Sequence, residues 1–238
     1  MAHKSDQGFV YPKVIMPRTF FKIVAVSCIG VIVFSASAAD SPLAMIRATV
    51  QKTLAILQDP AIQGATHRSE RLGKLETAIL PHFDTMSMAQ RSLGLYWRQL
   101  TKDEKKEFLS IFTSLVEQTY GSTIDRYAND AHISYDQERV EGDFAEVDTH
   151  VLAPSQGDPL PINYYLHQVH GQWRIYDIQI DDISLVLNYR AQFSRILSAS
   201  SYDNLVLRLR RKLQELHPPL SSQRAKGAIV KEQQKSGV

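Results

Sequence analysis

Asp181-Asp182 is the pair of side chains in this sequence that most resembles a catalytic dyad. Adjacent carboxylates can share a proton, one acting as acid while the other stays ionised. The pair follows an alternating apolar stretch and precedes a helical stripe, so it reads first as an N-terminal cap and dipole partner, worth roughly 0.3–1 kcal/mol per charge. His167 and His170 have a ligand-like spacing. A strand end and turn does not aim both rings at one metal, however, and no third ligand accompanies them. Glu146, Asp148 and His150 share one face of a stretch whose other face is apolar, which turns the three toward water. The chain contains no G-x-S-x-G, H-E-x-x-H, phosphate loop or dinucleotide fingerprint. The expectation is a protein without catalytic residues, metal or cofactor.

The elements that position these side chains change character along the chain. Ser41-Pro42 opens a helix, with a cap followed by Pro at the first helical position. Leu43, Ile46, Val50, Leu54 and Leu57 share its apolar face. Further helices are predicted from Ser69 to Leu80 and, capped by Asp84, from Thr85 to Leu100. Thr101 and Glu104 form a capping box for a fourth, which carries Phe108, Ile111, Phe112, Leu115, Tyr120, Ile124 and Tyr127. From His132 the period becomes two. A short strand at Ile133 and Tyr135 precedes Phe144–Leu152, where Ala145, Val147, Thr149 and Val151 share a face. Leu160, Ile162, Tyr164 and Leu166 alternate next, and Gly171 turns the chain into Trp173–Ile180. Four strands with short links predict an antiparallel meander. Two helical stripes follow, Val186 to Leu197 and Leu205 to Leu216, the second basic through Arg208, Arg210, Arg211 and Lys212. The pattern is α+β: a four-stranded antiparallel sheet with surrounding helices.

The ends read differently. Ile23–Phe34 is an uncharged apolar run behind Arg18 and Lys22, followed by Ala36-Ser37-Ala38. This is the layout of a secretory signal peptide over residues 1–38; the competing reading is a membrane anchor, which needs about 20 apolar residues. Cys28 is the one cysteine of the 238 residues and lies inside that run, so cleavage leaves a thiol-free chain suited to an oxidising compartment. Beyond residue 38 the chain carries 23 basic and 24 acidic side chains, which gives no electrostatic reason to bind nucleic acid. Residues 217–238 are polar and without pattern, an expected disordered tail after the domain at 39–216.

Particular words in the sequence resemble a known family. Phe83-Asp84 with Met86 precedes Ser92-Leu93-Gly94, Trp97-Arg98 and Leu100-Thr101. Trp173-Arg174-Ile175-Tyr176-Asp177-Ile178 is followed by Ile183-Ser184-Leu185-Val186 and by Asn188-Tyr189-Arg190-x-Gln192-Phe193. Together these are similar to the MlaC family of periplasmic toluene-tolerance auxiliary proteins, over roughly residues 41–216. Asp182 stands where that family usually has Gly, and Phe-Asp-Thr replaces its Phe-Asp-Phe. The resemblance implies a periplasmic carrier of phospholipid. Its implied partners are an outer-membrane lipoprotein–porin complex and an inner-membrane ABC transporter complex. It implies no catalytic residue, and relatives associated with hopanoids leave the cargo open.

On that resemblance, helices and sheet would enclose an apolar lipid cavity. Its candidate lining is Val147, Val151, Ile162, Tyr164 and Leu166 from the strands, with Trp97, Phe108, Phe112, Leu115, Tyr120, Tyr176, Val186, Tyr189 and Phe193 from the ring-rich elements. Tyr189 and Arg190 are the candidates to meet a headgroup. Two other classes compete. A cone-shaped α+β enzyme would need an acid or base inside the pocket, and the inferred inward strand positions hold no carboxylate. A structural adaptor would have the same pattern with a filled core.

Overall fold

The computed structural model describes residues 41–126, 131–152 and 158–216. The signal-peptide reading, Tyr127 and the C-terminal tail fall outside them. Helices α1 (Pro42–Leu57), α2 (Arg68–Ile79), α3 (Thr85–Leu93) and α4 (Lys102–Arg126) come first. Strands β1 (His132–Glu141), β2 (Phe144–Leu152), β3 (Leu160–Val169), β4 (Gln172–Ile180) and β5 (Ile183–Ser184) follow, then α5 (Leu185–Leu197) and α6 (Tyr202–Leu216). The five strands pair in sequence order, all antiparallel. The α+β expectation holds. The predicted four strands become five because Ile180 pairs with Ile183 before the chain enters α5.

Most helix boundaries sit where the sequence placed their signals. The Ser41 hydroxyl accepts from Ala44 N–H at 3.0 Å, and Asp84 Oδ1 accepts from Ser87 N–H at 2.8 Å. Thr101 and Glu104 bond reciprocally, Thr101 N–H to Glu104 Oε2 at 2.7 Å and Glu104 N–H to Thr101 Oγ1 at 3.2 Å. The third helix stops short of its predicted end at Leu100. It closes at Leu93, and Gly94–Gln99 continue as a 3₁₀ turn. Gly94 takes φ 57°, ψ −125°, a conformation open to glycine and strained for any side chain.

Asp181 and Asp182 are not helix caps. Both have positive φ, 48° and 62°, and form the two-residue link between β4 and β5, as in a type I′ hairpin. Asp tolerates that region better than most residues do, which is why it can stand where Gly is usual. The N-cap of α5 is Ser184, whose hydroxyl accepts from Leu187 N–H. His170 and Gly171, at φ 51° and 74°, make the equivalent link between β3 and β4.

Two irregularities decide which side chains share a face. In β1 the register slips at Asp136, so Tyr135 pairs with Thr149 but Glu138 pairs with Val147. In β4 it slips at Tyr176, so Ile178 pairs with Tyr164 and Ile175 with Leu166. Each is a β-bulge, which shifts the alternation by one residue. The interior divides accordingly. Under α1, Ile46 packs on Ala145, Val147, Leu166 and Ile175. A second, larger core lies among α3, α4, α5 and α6. Phe83, just before α3, touches both.

Candidate functional site

The inner face of the sheet is the one covered by α1. Directly paired residues lie on the same side, so Ala145, Val147, Thr149 and Val151 define it on β2, and Leu160, Ile162, Tyr164 and Leu166 on β3. Ile175, Ile178 and Ile180 continue it on β4, and Tyr135 joins from β1. Thr149 is the polar exception, fully buried, and its hydroxyl donates to Ile162 C=O at 2.9 Å across the ladder.

This face has a closed half and an open half. Val147 and Leu166 are 0% exposed and Ile175 is 1% exposed, sealed by Ile46. Tyr135, Val151, Ile162, Tyr164, Ile178 and Ile180 are all only half-buried, although every one is apolar or aromatic. Tyr164 marks the transition. Burial pushes its phenol up to about 12, yet part of its side chain remains reachable by solvent. Its surroundings are apolar, so an acyl chain can take the place of water there.

Two polar contacts hold α1 over this face. Leu43 N–H donates to Glu138 Oε1 at 2.8 Å, placing a carboxylate on the helix N-terminus. The Arg47 guanidinium lies 4.5 Å from the centre of the Tyr135 ring. Glu138 corrects the expectation of an inward face without carboxylates: the bulge at Asp136 turns it inward. That carboxylate accepts the helix N–H.

Asp177 is the polar side chain that sequence reasoning missed. It accepts from Ser184 Oγ–H at 2.5 Å, Val186 N–H at 3.0 Å and its neighbour Ile178 N–H at 2.9 Å, tying β4 to the start of α5. Burial raises its pKa, against the lowering effect of those bonds. The Trp-x-x-x-Asp spacing followed by Ser was the available signal.

The candidate residues separate into three groups. Val147 and Leu166 lie in the closed half, while Val151, Ile162 and Tyr164 belong to the open half. Trp97, Phe108, Phe112, Leu115, Val186, Tyr189 and Phe193 sit in the helical core, with Tyr120 packed against it. Their rings close on one another: Phe108 is 5.8 Å from Phe112 and 5.7 Å from Phe193, and Tyr189 is 5.5 Å from both Phe112 and Phe193. Tyr176 leaves the inner face altogether. Next to inward Ile175 it points outward, where it meets Phe144, Tyr165 and His167 under the Arg91 guanidinium; the bulge then keeps Asp177 outward and returns Ile178 to the inner face.

The headgroup candidates are placed elsewhere too. Tyr189 is buried, its hydroxyl hydrogen-bonded to Thr119, and burial pushes it up to about 12. Arg190 lies against Gly94; a Cβ there would be 3.1 Å from Arg190 Nε. His167 bonds to Asp84 through Nε2 at 2.8 Å. On the outer face Arg139 bridges Glu146 and Asp148 at 2.9 and 2.8 Å, and His150 pairs with Asp136. Among the described residues there is no group of three or more metal-ligating side chains, and no helix is long and apolar enough to cross a membrane.

Comparison with known proteins gives a consistent answer. The chain is 21% identical over 175 residues to the intermembrane phospholipid transport system binding protein MlaC of Haemophilus influenzae, covering 72% of this chain and 77% of that protein. It is 22% identical over 168 residues to the toluene tolerance protein ttg2D of Pseudomonas putida, covering 70% and 77%. A phospholipid-binding protein from Ralstonia solanacearum, solved in complex with a phospholipid, superposes with a TM-score of 0.64 at 24% identity. That superposition spans 73% of this chain and 97% of the other, and establishes the shared fold. The family profile described as MlaC protein matches residues 47–211, most of the chain and nearly all of its described structure, so the protein belongs to the MlaC family.

Proposed function

We propose that this protein binds one phospholipid by its acyl tails and carries it through the periplasm between membranes, without catalysing a reaction. The supporting observation is the open half of the inner sheet face. Val151, Ile162 and Tyr164, with Tyr135, Ile178 and Ile180, offer apolar surface that the protein's own side chains leave half-covered. The tails lie along those residues, and the headgroup stays toward solvent. The names of the relatives, a phospholipid transport binding protein and a phospholipid complex, favour this ligand class.

The energetics suit a shuttle. Each CH₂ removed from water contributes about 0.8 kcal/mol, so two chains of about 14 CH₂ contribute roughly 20 kcal/mol. A bilayer offers the same tails a similar amount. The carrier therefore needs only to match the membrane, and small shifts on docking can reverse the exchange. Secretion fits the same role, with cleavage after Ala38 or Ala39 removing Cys28. Partners by resemblance are the outer-membrane lipoprotein–porin complex and the inner-membrane ABC transporter complex.

Transfer of a fluorescent phospholipid from donor to acceptor vesicles tests the proposal. Added protein should accelerate transfer in proportion to its concentration. A rate equal to that in buffer alone would remove the carrier reading.

A further inference from the structure

Charge is segregated along this fold. Residues 131–184, the sheet region, hold ten acidic side chains against Arg139 and Arg174. Residues 185–216, helices α5 and α6, hold six basic side chains against Asp203 and Glu215. Helix α6 buries Leu205, Val206 and Leu209, and its opposite face carries Leu207, Arg208 and Arg211. Leu207 is 55% exposed, one turn from Arg211. Two other cations of the helix are matched within the protein: Arg210 pairs with Glu107 at 2.7 Å, and Lys212 reaches Glu215 at 3.5 Å. Arg208 donates to the neutral Asn204 Oδ1 at 2.8 Å. Among the described residues neither Arg208 nor Arg211 has a carboxylate partner.

We propose that the Leu207–Arg208–Arg211 face of α6 docks on an anionic lipid surface. The guanidiniums match lipid phosphates in charge and fork geometry, and Leu207, beside them at the edge of the same face, reaches the acyl boundary. The remainder of the charge pattern favours an extended anionic plane. Such a plane attracts α6 and repels the acidic sheet, so one surface satisfies both signs and sets the orientation of approach. This contact is separate from the tail-binding recess and does not depend on its occupancy.

Cosedimentation with vesicles tests the docking. The secreted protein is mixed with vesicles of equal parts phosphatidylglycerol and phosphatidylcholine, and separately with phosphatidylcholine alone. Each cation near such a surface is worth roughly fivefold in partitioning, so Arg208→Gln/Arg211→Gln should lower binding to the anionic vesicles roughly 25-fold. Raising the salt from about 0.1 M to about 1 M, which shortens the Debye length from roughly 10 Å to roughly 3 Å, should do the same to wild type. Arg208→Lys/Arg211→Lys keeps the charge and should keep the binding, which separates charge loss from misfolding. Leu207→Asn should weaken binding less, and at both salt concentrations. Equal binding to the two vesicle types would overturn the proposal. So would a Gln variant that sediments like wild type, which would point the face toward an acidic protein instead.

Discussion

A tryptophan placed in each half of the inner sheet face should give opposite results. Val147 is 0% exposed and is enclosed by Ile46, Ala145, Leu166 and Ile175. Val147→Trp adds ring volume to a sealed space, and overpacking of this kind costs about 1–3 kcal/mol. For a domain of this size about 1 kcal/mol shifts the melting temperature by roughly 2–4 °C, so the variant should melt about 2–12 °C below wild type. Ile162 lies on the same face, paired with Thr149 and Ile180, but is half-exposed. A ring there extends into the open half. Delipidated Ile162→Trp should melt within about 2 °C of delipidated wild type, while its bound phospholipid falls severalfold. Thermal melting and lipid extraction on matched samples read both quantities. If Ile162→Trp melts as early as Val147→Trp, the open half does not exist. If it retains wild-type lipid, the tails do not lie there.

Three other substitutions probe the frame. Gly94→Ala forces a side chain into φ 57° and toward Arg190, and should cost about 1–3 kcal/mol in denaturant unfolding; adding Arg190→Ala should recover only the steric part. Asp182→Gly relieves a positive φ of 62° and should stabilise the hairpin by up to about 1 kcal/mol, seen as a higher melting temperature. Glu117 is pushed up to about 7, first by burial and then by repulsion from Glu76. A raised carboxyl pKa means that stability is present below about 4.5 and is lost as pH rises through 7. Glu117→Gln should therefore melt higher than wild type at pH 8, and the difference should close toward pH 5.

The parts of the fold that were legible in the sequence are those where a local signal has a local cause. Ser41-Pro42, Asp84 and the Thr101–Glu104 box each satisfy N–H groups within four residues, and each starts a helix where expected. The inward run on β2 and β3 was legible for the same reason, since alternation needs no partner to be read. The bulges were not. One extra residue at Asp136 or Tyr176 leaves composition unchanged but inverts the faces beyond it, bringing Glu138 and Ile178 inward and sending Asp177 outward. Gly94 shows a different obstacle: a lone glycine fits a helical pattern, and its break becomes evident only with Arg190, 96 positions on, packed against it. Alternation also identified Val147, Val151 and Ile162 as inward without distinguishing sealed from open positions. That distinction depends on where α1 ends its cover, which no strand records.

Native mass spectrometry of the protein purified from a lipid-containing cell, under conditions that retain lipid in another MlaC-family protein, shows most directly whether it carries a phospholipid. A mass one phospholipid above the polypeptide is expected, with the bare chain appearing only after delipidation. A bare chain before delipidation, alongside a control that keeps its lipid, would contradict it.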